Sequence, residues 1–320
     1  MKAVTHTQYG PPDVLELKEL EIPIPKDNEV LIKVYATTVN RTDCAILRAN
    51  PFIMRFFTGL RKPKKIISGT DFAGKIEAIG KAVTSLKVGD KVFGFDDSGL
   101  SSHAQYMTLA EDKAIASMPE NITFAQAAAS IEGAHYAYNM INKVALKSGQ
   151  QVLVNGASGA IGAAAVQLLK YYAAHVTAVC NTKNIALVKS IGADQVIDFT
   201  KEDFTAKSNN KYHYIFDTVG KSSFTICKPL IKPGGVYISS ELGSMVQNPF
   251  LALITPFFGN KKVVFPIPSN IKRSVLLIKK LTEEGKFKAV IDRTYPLEEI
   301  AEAYRYVETG QKTGNVVILL

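Results

Sequence analysis

The chain has 320 residues, a formal charge of +9, 47% hydrophobic residues and 21% charged residues. That length points to two domains, and that composition to a globular protein rather than a disordered or fibrous one. No apolar run approaches the ~18 residues of a membrane span, and no nucleic-acid-binding signature accompanies the positive charge, so an anionic cofactor explains it more economically than nucleic acid.

The chain starts Met1-Lys2-Ala3-Val4 and enters an alternating strand pattern directly, so no signal peptide is expected. Three scattered cysteines, Cys44, Cys180 and Cys227, lack CxxC spacing and speak for a reducing, cytoplasmic setting. Residues 1–123 are rich in strands and turns. Val30, Ile32, Val34 and Ala36 alternate as in a half-buried strand, and Gly10-Pro11-Pro12, Gly80, Gly89-Asp90 and Gly94 cut the segment into short pieces, which predicts a barrel-like β domain. Within it, Arg48 to Lys65 holds six basic residues and no acidic one, interleaved with Phe52, Ile53, Met54, Phe56, Phe57 and Leu60. Three readings stay open: aromatics packed on the barrel, an apolar mouth for substrate, or a weak contact with an anionic membrane surface.

From 124 to 268 strands alternate with helices. Strands are expected at 151–155, 175–180, 195–199, 212–217, 235–240 and 261–266, a pattern that predicts an α/β domain with a doubly wound parallel sheet. Its centre is Gln151-Val152-Leu153-Val154-Asn155-Gly156-Ala157-Ser158-Gly159-Ala160-Ile161-Gly162: an apolar strand, a glycine-punctuated turn and a helix opening at Ala160. A helix N-terminus offers unpaired N–H groups and partial positive charge to a pyrophosphate, and glycines let the phosphates come close. Read as Ala157-x-Gly159-x-x-Gly162, this is the dinucleotide fingerprint with alanine for its first glycine. The second strand ends Cys180-Asn181-Thr182-Lys183, with no Asp or Glu between Glu132 and Asp194. A ribose-binding carboxylate is therefore missing, and Lys183 stands ready for a 2′-phosphate, which predicts NADPH rather than NADH. The alternative for Lys183 is a solvated helix-start lysine. Residues 271–284 and Leu297 to Val307 read as helices, and Val316 to Leu320 as a final strand that, with the helices, returns 269–320 to the first domain.

Three groups of motifs carry a resemblance along the whole chain. They are Tyr9-Gly10-Pro11-Pro12-Asp13-Val14-Leu15, Gly69-Thr70-Asp71-Phe72-Ala73-Gly74 with Val88-Gly89-Asp90-Lys91-Val92-Phe93-Gly94, and the glycine turn with Gly192-Ala193-Asp194 and Phe216-Asp217-Thr218-Val219-Gly220. Through them the chain resembles the medium-chain dehydrogenase/reductase superfamily, in its zinc-free quinone oxidoreductase and enone reductase branch. The resemblance implies a GroES-like β-barrel catalytic domain beside a Rossmann domain. It implies cofactor contacts from Ala157, Ser158, Gly159, Ala160, Ile161, Gly162, Cys180, Asn181, Thr182, Lys183, Val219, Gly220 and Ser239. It also implies a twofold dimer joined at the last strand of the cofactor sheet, near Lys261 to Phe265.

Where zinc-dependent members of that superfamily carry metal ligands, this chain has Asn40, Thr70-Asp71 and Glu132, so no metal is expected. Without a Lewis acid, hydride transfer is easiest to a conjugated acceptor, whose charge spreads over an enolate or phenolate. The expected substrate is thus a small apolar quinone or α,β-unsaturated carbonyl. Asn40 and Tyr136 are the candidate catalytic donors; against this stand Asn40 as a helix cap, Tyr136 as packing, and His135 as a satisfied histidine on the helix surface. A non-catalytic NADPH-binding sensor or membrane-docked adaptor, or an alcohol dehydrogenase, are the competing functions. None of the thirteen tyrosines has lysine four residues later, no G-x-S-x-G motif occurs, and no G-K-[ST] follows the glycine turn, which excludes short-chain dehydrogenase, hydrolase and P-loop chemistry.

Overall fold

The computed structural model describes residues 1–206 and 211–320. They form two compact units, 1–132 with 270–320, and 133–269. The first unit keeps the helix Phe124–Ala128, which the sequence reading assigned to the second domain. The reason is packing: Phe124 stacks on Tyr35 with ring centroids 4.6 Å apart, and Ala127 and Ala128 are buried.

The first unit is built around the strand Glu29–Val39, whose Val30, Ile32, Val34 and Ala36 all point into the core as their alternation predicts. This strand pairs with Asp71–Ile79, Tyr106–Ala110 and Asn315–Leu319, all antiparallel. The sheet runs Ile291–Pro296, Asn315–Leu319, Glu29–Val39, Asp71–Ile79, Lys91–Phe95, Ile115–Ser117. One apolar cluster lies around Val30, Ile32, Phe72, Ile76 and Val92. Another joins Val39, Leu47, Tyr304, Val316 and Ile318 beneath the helices Arg41–Arg48 and Ile300–Glu308.

The second unit is an all-parallel six-stranded sheet in the order Gln195–Asp198, His175–Cys180, Gln151–Asn155, Tyr212–Asp217, Ile231–Ser239, Lys262–Val264. All six expected strands are present, and the chain order reverses between Gln151–Asn155 and Tyr212–Asp217. In such sheets that reversal opens a crevice at the strand C-termini, where ligands bind. The expected helices are Ile271–Glu283 and, after a 3-10 turn at Leu297–Glu299, Ile300–Glu308, and the last strand is Asn315–Leu319. All three cysteines are buried and free. Among the described residues no helix is long and apolar enough to cross a membrane.

Candidate active site

In the second unit the dinucleotide turn follows the strand Gln151–Asn155 and opens the helix Ala160–Tyr171, with Gly159 as N-cap. Its glycines do different jobs. Gly156 has φ +81°, and a Cβ there would lie 2.4 Å from Val219 Cγ1. The left-handed turn therefore belongs to Gly156, one residue before the alanine that the sequence reading took as its replacement. At Gly162 a Cβ would come 2.1 Å from the Gly156 carbonyl oxygen and 2.8 Å from Ala157 Cα, so glycine there lets the helix sit on the strand. Gly159 is different: its Cβ would meet nothing nearer than 3.5 Å. No protein contact demands glycine at 159, which fits a position kept bare for a pyrophosphate approaching the helix N-terminus. Ser158, Gly159, Ala160 and Ile161 are partly exposed along this edge, whereas Ala157 is wholly buried and lends only its backbone.

Across the switch point the buried Asp217 organises the next loop. It accepts from Asn155 Nδ2 (3.1 Å), the backbone N–H groups of Val219 (3.3 Å), Gly220 (3.0 Å) and Ser222 (3.1 Å), and Tyr237 Oη (2.9 Å). Val219 and Gly220 are thereby held at the strand ends, partly buried and exposed respectively. Ser239 is buried and its Oγ accepts from the Glu241 N–H at 3.2 Å. These residues fit a dinucleotide along the strand C-termini.

At the end of the strand His175–Cys180, Lys183 is exposed in the short turn Thr182–Asn184. Asn181 Oδ1 accepts from Asn184 Nδ2 at 2.8 Å. Cys180 is buried, and burial, with Asp198 nearby, pushes its thiol up to about 11, so its side chain is part of the sheet and not a polar ligand. The parallel register also brings in an acid that a linear reading missed, because Asp198 pairs with Cys180. Its carboxylate is already used, accepting from Thr182 Oγ1 (2.5 Å) and from the N–H and Oγ1 of Thr200 (3.0 and 2.7 Å). Asp198 thus orients Thr182.

Tyr136 lies in the same unit on the helix Glu132–Asn142, partly buried, its ring centroid 5.6 Å from that of His135. His135 is not on the helix surface as the sequence reading had it. It is fully buried, Asn139 Nδ2 lies 3.3 Å from its Nδ1, and burial lowers its pKa to about 4, so it is a neutral core residue at pH 7.

Asn40 belongs to the first unit and sits in an unusually polar interior. Thr38, Asn40, Asp43, Thr70, Asp71, Glu132 and Asn315 are all buried. The Asn40 N–H donates to Asp43 Oδ2 at 2.8 Å, which starts the helix Arg41–Arg48. Asn40 Nδ2 donates to Thr38 Oγ1 (3.0 Å) and to Asn315 Oδ1 (3.3 Å). Its Oδ1 accepts from Lys312 Nζ at 3.0 Å, and Lys312 also donates to the Gly314 carbonyl at 2.5 Å. The amide is therefore fully engaged, so Asn40 as a direct substrate donor would have to break one of these bonds.

The remaining carboxylates are tied in similarly. Asp71 accepts from the Thr38 N–H at 3.1 Å and from Thr38 Oγ1 at 2.9 Å. Thr70 Oγ1 lies 3.4 Å from Asp43 Oδ1. Thr42 Oγ1 donates to Glu132 Oε1 at 2.5 Å, while Glu132 Oε2 is buried with no hydrogen-bond partner among the described residues. Burial raises all three acids above the usual carboxylate range; the charges of Glu132 and Asp43 raise Asp71 further, and that of Glu132 raises Asp43. Among the described residues no group of three or more His, Cys, Asp or Glu side chains is arranged to hold a metal ion. Lys312 is the residue that sequence reasoning missed here. It arrives from a loop 272 positions away from Asn40, and no local motif announces it.

The segment after this helix also departs from one expectation. Phe52, Ile53, Phe56, Phe57 and Leu60 are between 55% and 73% exposed around the short helix Met54–Thr58, so they do not pack on the sheet. The Arg55 guanidinium lies over the rings of Tyr9 and Phe52, at 5.0 and 5.7 Å.

Comparison with known proteins agrees with this architecture. Residues 26–138 match the family described as alcohol dehydrogenase GroES-like domain, and residues 191–318 that described as zinc-binding dehydrogenase. The chain is 33% identical over 334 residues to 2-methylene-furan-3-one reductase of Solanum lycopersicum, covering 99% of this chain and 79% of that protein. It is 32% identical over 332 residues to the chloroplastic NADPH-dependent alkenal/one oxidoreductase of Arabidopsis thaliana, again covering 99% and 79%. The solved quinone oxidoreductase of Coxiella burnetii superimposes with a TM-score of 0.86 at 26% identity, over 100% of this chain and 99% of that one. With both halves of the architecture in place, the chain belongs to the medium-chain dehydrogenase/reductase superfamily, in the branch of quinone oxidoreductases and enone reductases.

Proposed function

We propose that this protein is an NADPH-dependent reductase of quinones or α,β-unsaturated carbonyls that works without a metal. The observation that carries the reading is the buried polar cluster around Asn40. Its side chains are bonded to one another and to an ammonium, in the positions where zinc-dependent relatives are expected to hold their ion. Such a site offers hydrogen-bond donors rather than a Lewis acid. Donors of that kind stabilise a delocalised enolate or phenolate far better than they compensate for a full alkoxide. The reduced nicotinamide supplies the hydride. The bare N-terminus at Gly159 is suited to the pyrophosphate, and Lys183 with Thr182 and Asn181 to a 2′-phosphate, with Asp198 already occupied by hydroxyl donors. Following NADPH absorbance with a panel of quinones and enals tests the reading directly. Absence of turnover across the panel would leave a non-catalytic cofactor-binding protein.

Two further assignments support that reading. The exposed apolar segment from Phe52 to Leu60 follows the helix that Asn40 begins, and we assign it to the entrance for an apolar acceptor. Two copies are proposed to associate at the outer strand Lys262–Val264, beside which Phe250, Leu253, Phe257 and Phe258 are exposed. There the Val263 N–H is already bonded to Thr255 Oγ1 at 2.9 Å, so the apolar residues rather than a continuous strand pairing would supply most of the contact.

A further inference from the structure

A lysine drawn into a polar interior loses hydration, and chains tolerate that only where acceptors replace the water. Lys312 has such acceptors, but only two. Its ammonium carries three N–H bonds; one goes to Asn40 Oδ1 at 3.0 Å and one to the Gly314 carbonyl at 2.5 Å. The third is left for an acceptor from outside the chain. Lys312 as a whole residue is partly exposed, while its ammonium lies deep enough for burial to dominate its pKa. Asn40, by contrast, spends both amide protons on Thr38 and Asn315. Asn40 therefore holds Lys312 and has no amide proton left of its own.

We propose, building on the reductase reading above, that Lys312 is the proton donor of the reaction, its third N–H bonded to the carbonyl oxygen of the acceptor. Hydride received at the β-carbon of an enone, or by a quinone, brings two electrons and leaves an enolate or phenolate oxygen. As charge collects there, the Lys312 N–H bond breaks and an O–H bond forms, giving the enol or hydroquinone and a neutral amine. The enol tautomerises to the saturated carbonyl, and water returns a proton to the amine before the next turnover.

The surroundings suit this cycle. Burial is the main influence and lowers the Lys312 pKa to about 8. Glu132, Cys44 on the helix Arg41–Arg48, and Asp292 on the strand Ile291–Pro296 raise it, while Arg41 lowers it. The group is thus protonated at neutral pH yet gives up its proton more readily than an ordinary lysine. Asp292 is itself occupied, accepting from Tyr306 Oη (2.6 Å) and from the Thr313 N–H (2.8 Å), which fixes the loop that carries Lys312.

The test compares kcat against pH for the wild type, Lys312→Met and Lys312→Arg, beside a 13Cε NMR titration of lysine-labelled protein in which Lys312→Met assigns the signal. The wild type should lose kcat above about pH 8, and the Lys312 signal should titrate near the same value. Lys312→Met should lower kcat by about 100-fold or more and abolish that alkaline limb, in line with the loss of a positioned general acid. Lys312→Arg keeps the charge and can still hold Asn40, but it does not release its proton in this range, so it should not restore kcat. Restoration by arginine would reduce Lys312 to a positioning charge and overturn the proposal. Lys312→Met within twofold of wild type, or a signal titrating near the ordinary lysine value, would overturn it equally. Should Lys312→Met fail to fold, the arginine variant and the wild-type titration decide. A wild type that turns over no quinone or enal is a different failure, because it removes the reductase reading itself.

Discussion

The two units bury acids in opposite ways. In the second, Asp217 is surrounded by five donors, three of them backbone N–H groups, and it fixes the loop bearing Val219 and Gly220. In the first, Asp43, Asp71 and Glu132 share a few hydroxyls and N–H groups, and one oxygen of Glu132 has no hydrogen-bond partner among the described residues. A carboxylate saturated with donors is an architectural device. Acids short of donors have their pKa raised by desolvation, and such clusters are candidates for proton chemistry. On the proposed function, the contrast sets a unit suited to hold a cofactor by backbone shape against a unit suited to proton transfer.

The contrast is broken or sharpened first by paired amide substitutions. Asp217→Asn turns an NH2 toward groups that are themselves donors, so urea unfolding should show a loss of about 3–5 kcal/mol, as for other broken buried charge networks. Asp71→Asn replaces a carboxyl that burial already favours in its neutral form, and the cost at pH 7 should stay below about 1 kcal/mol. Equal losses in the two variants would erase the distinction. The sign of the pH dependence follows from the raised acids. Above the unfolded carboxyl pKa the folded first unit binds more protons than the unfolded chain, so stability should fall as pH rises from about 4 toward the raised values. Asp71→Asn should flatten part of that slope, and unfolding midpoints measured across pH would show it.

The next contrast lies within the cofactor turn. Gly162→Ala drives a Cβ into the Gly156 carbonyl and should cost about 1–3 kcal/mol of stability, the usual range for overpacking. Gly159→Ala has room in the free protein, so it should leave unfolding unchanged and weaken NADPH binding instead. If Gly159→Ala destabilises as much as Gly162→Ala, the bare helix N-terminus is structural. The last contrast, in cofactor choice, is read by Lys183→Ala. Loss of one charge-assisted phosphate contact of about 1.5–3 kcal/mol should weaken NADPH roughly 10- to 150-fold while leaving NADH unchanged. Equal loss for both cofactors in titrations would dissociate Lys183 from the 2′-phosphate.

Much of the second unit was legible in sequence because its signals are local. Six short apolar runs with glycine turns map one to one onto six parallel strands. Three features of that unit needed coordinates. The left-handed residue is Gly156, Asp198 comes beside Cys180 only through the parallel register, and His135 is buried because its helix turns that face inward. In the first unit the strand Glu29–Val39 announced itself by alternation, but the polar cluster around Asn40 did not. Asn40, Glu132 and the pair Lys312 and Asn315 come from three distant stretches, and no period or spacing links them. The aromatics between Phe52 and Leu60 show the converse. Their composition reads equally as core or surface, and only their exposure separates the two.

The most direct test of metal-free reduction of a conjugated carbonyl is steady-state NADPH oxidation by protein dialysed exhaustively against chelator, with its zinc content determined in parallel. A simple quinone, an α,β-unsaturated aldehyde and a saturated ketone serve as acceptors. The account predicts undiminished turnover of the first two, little or none of the ketone, and no stoichiometric zinc. One zinc per chain, with turnover lost on its removal and regained on its return, would contradict it.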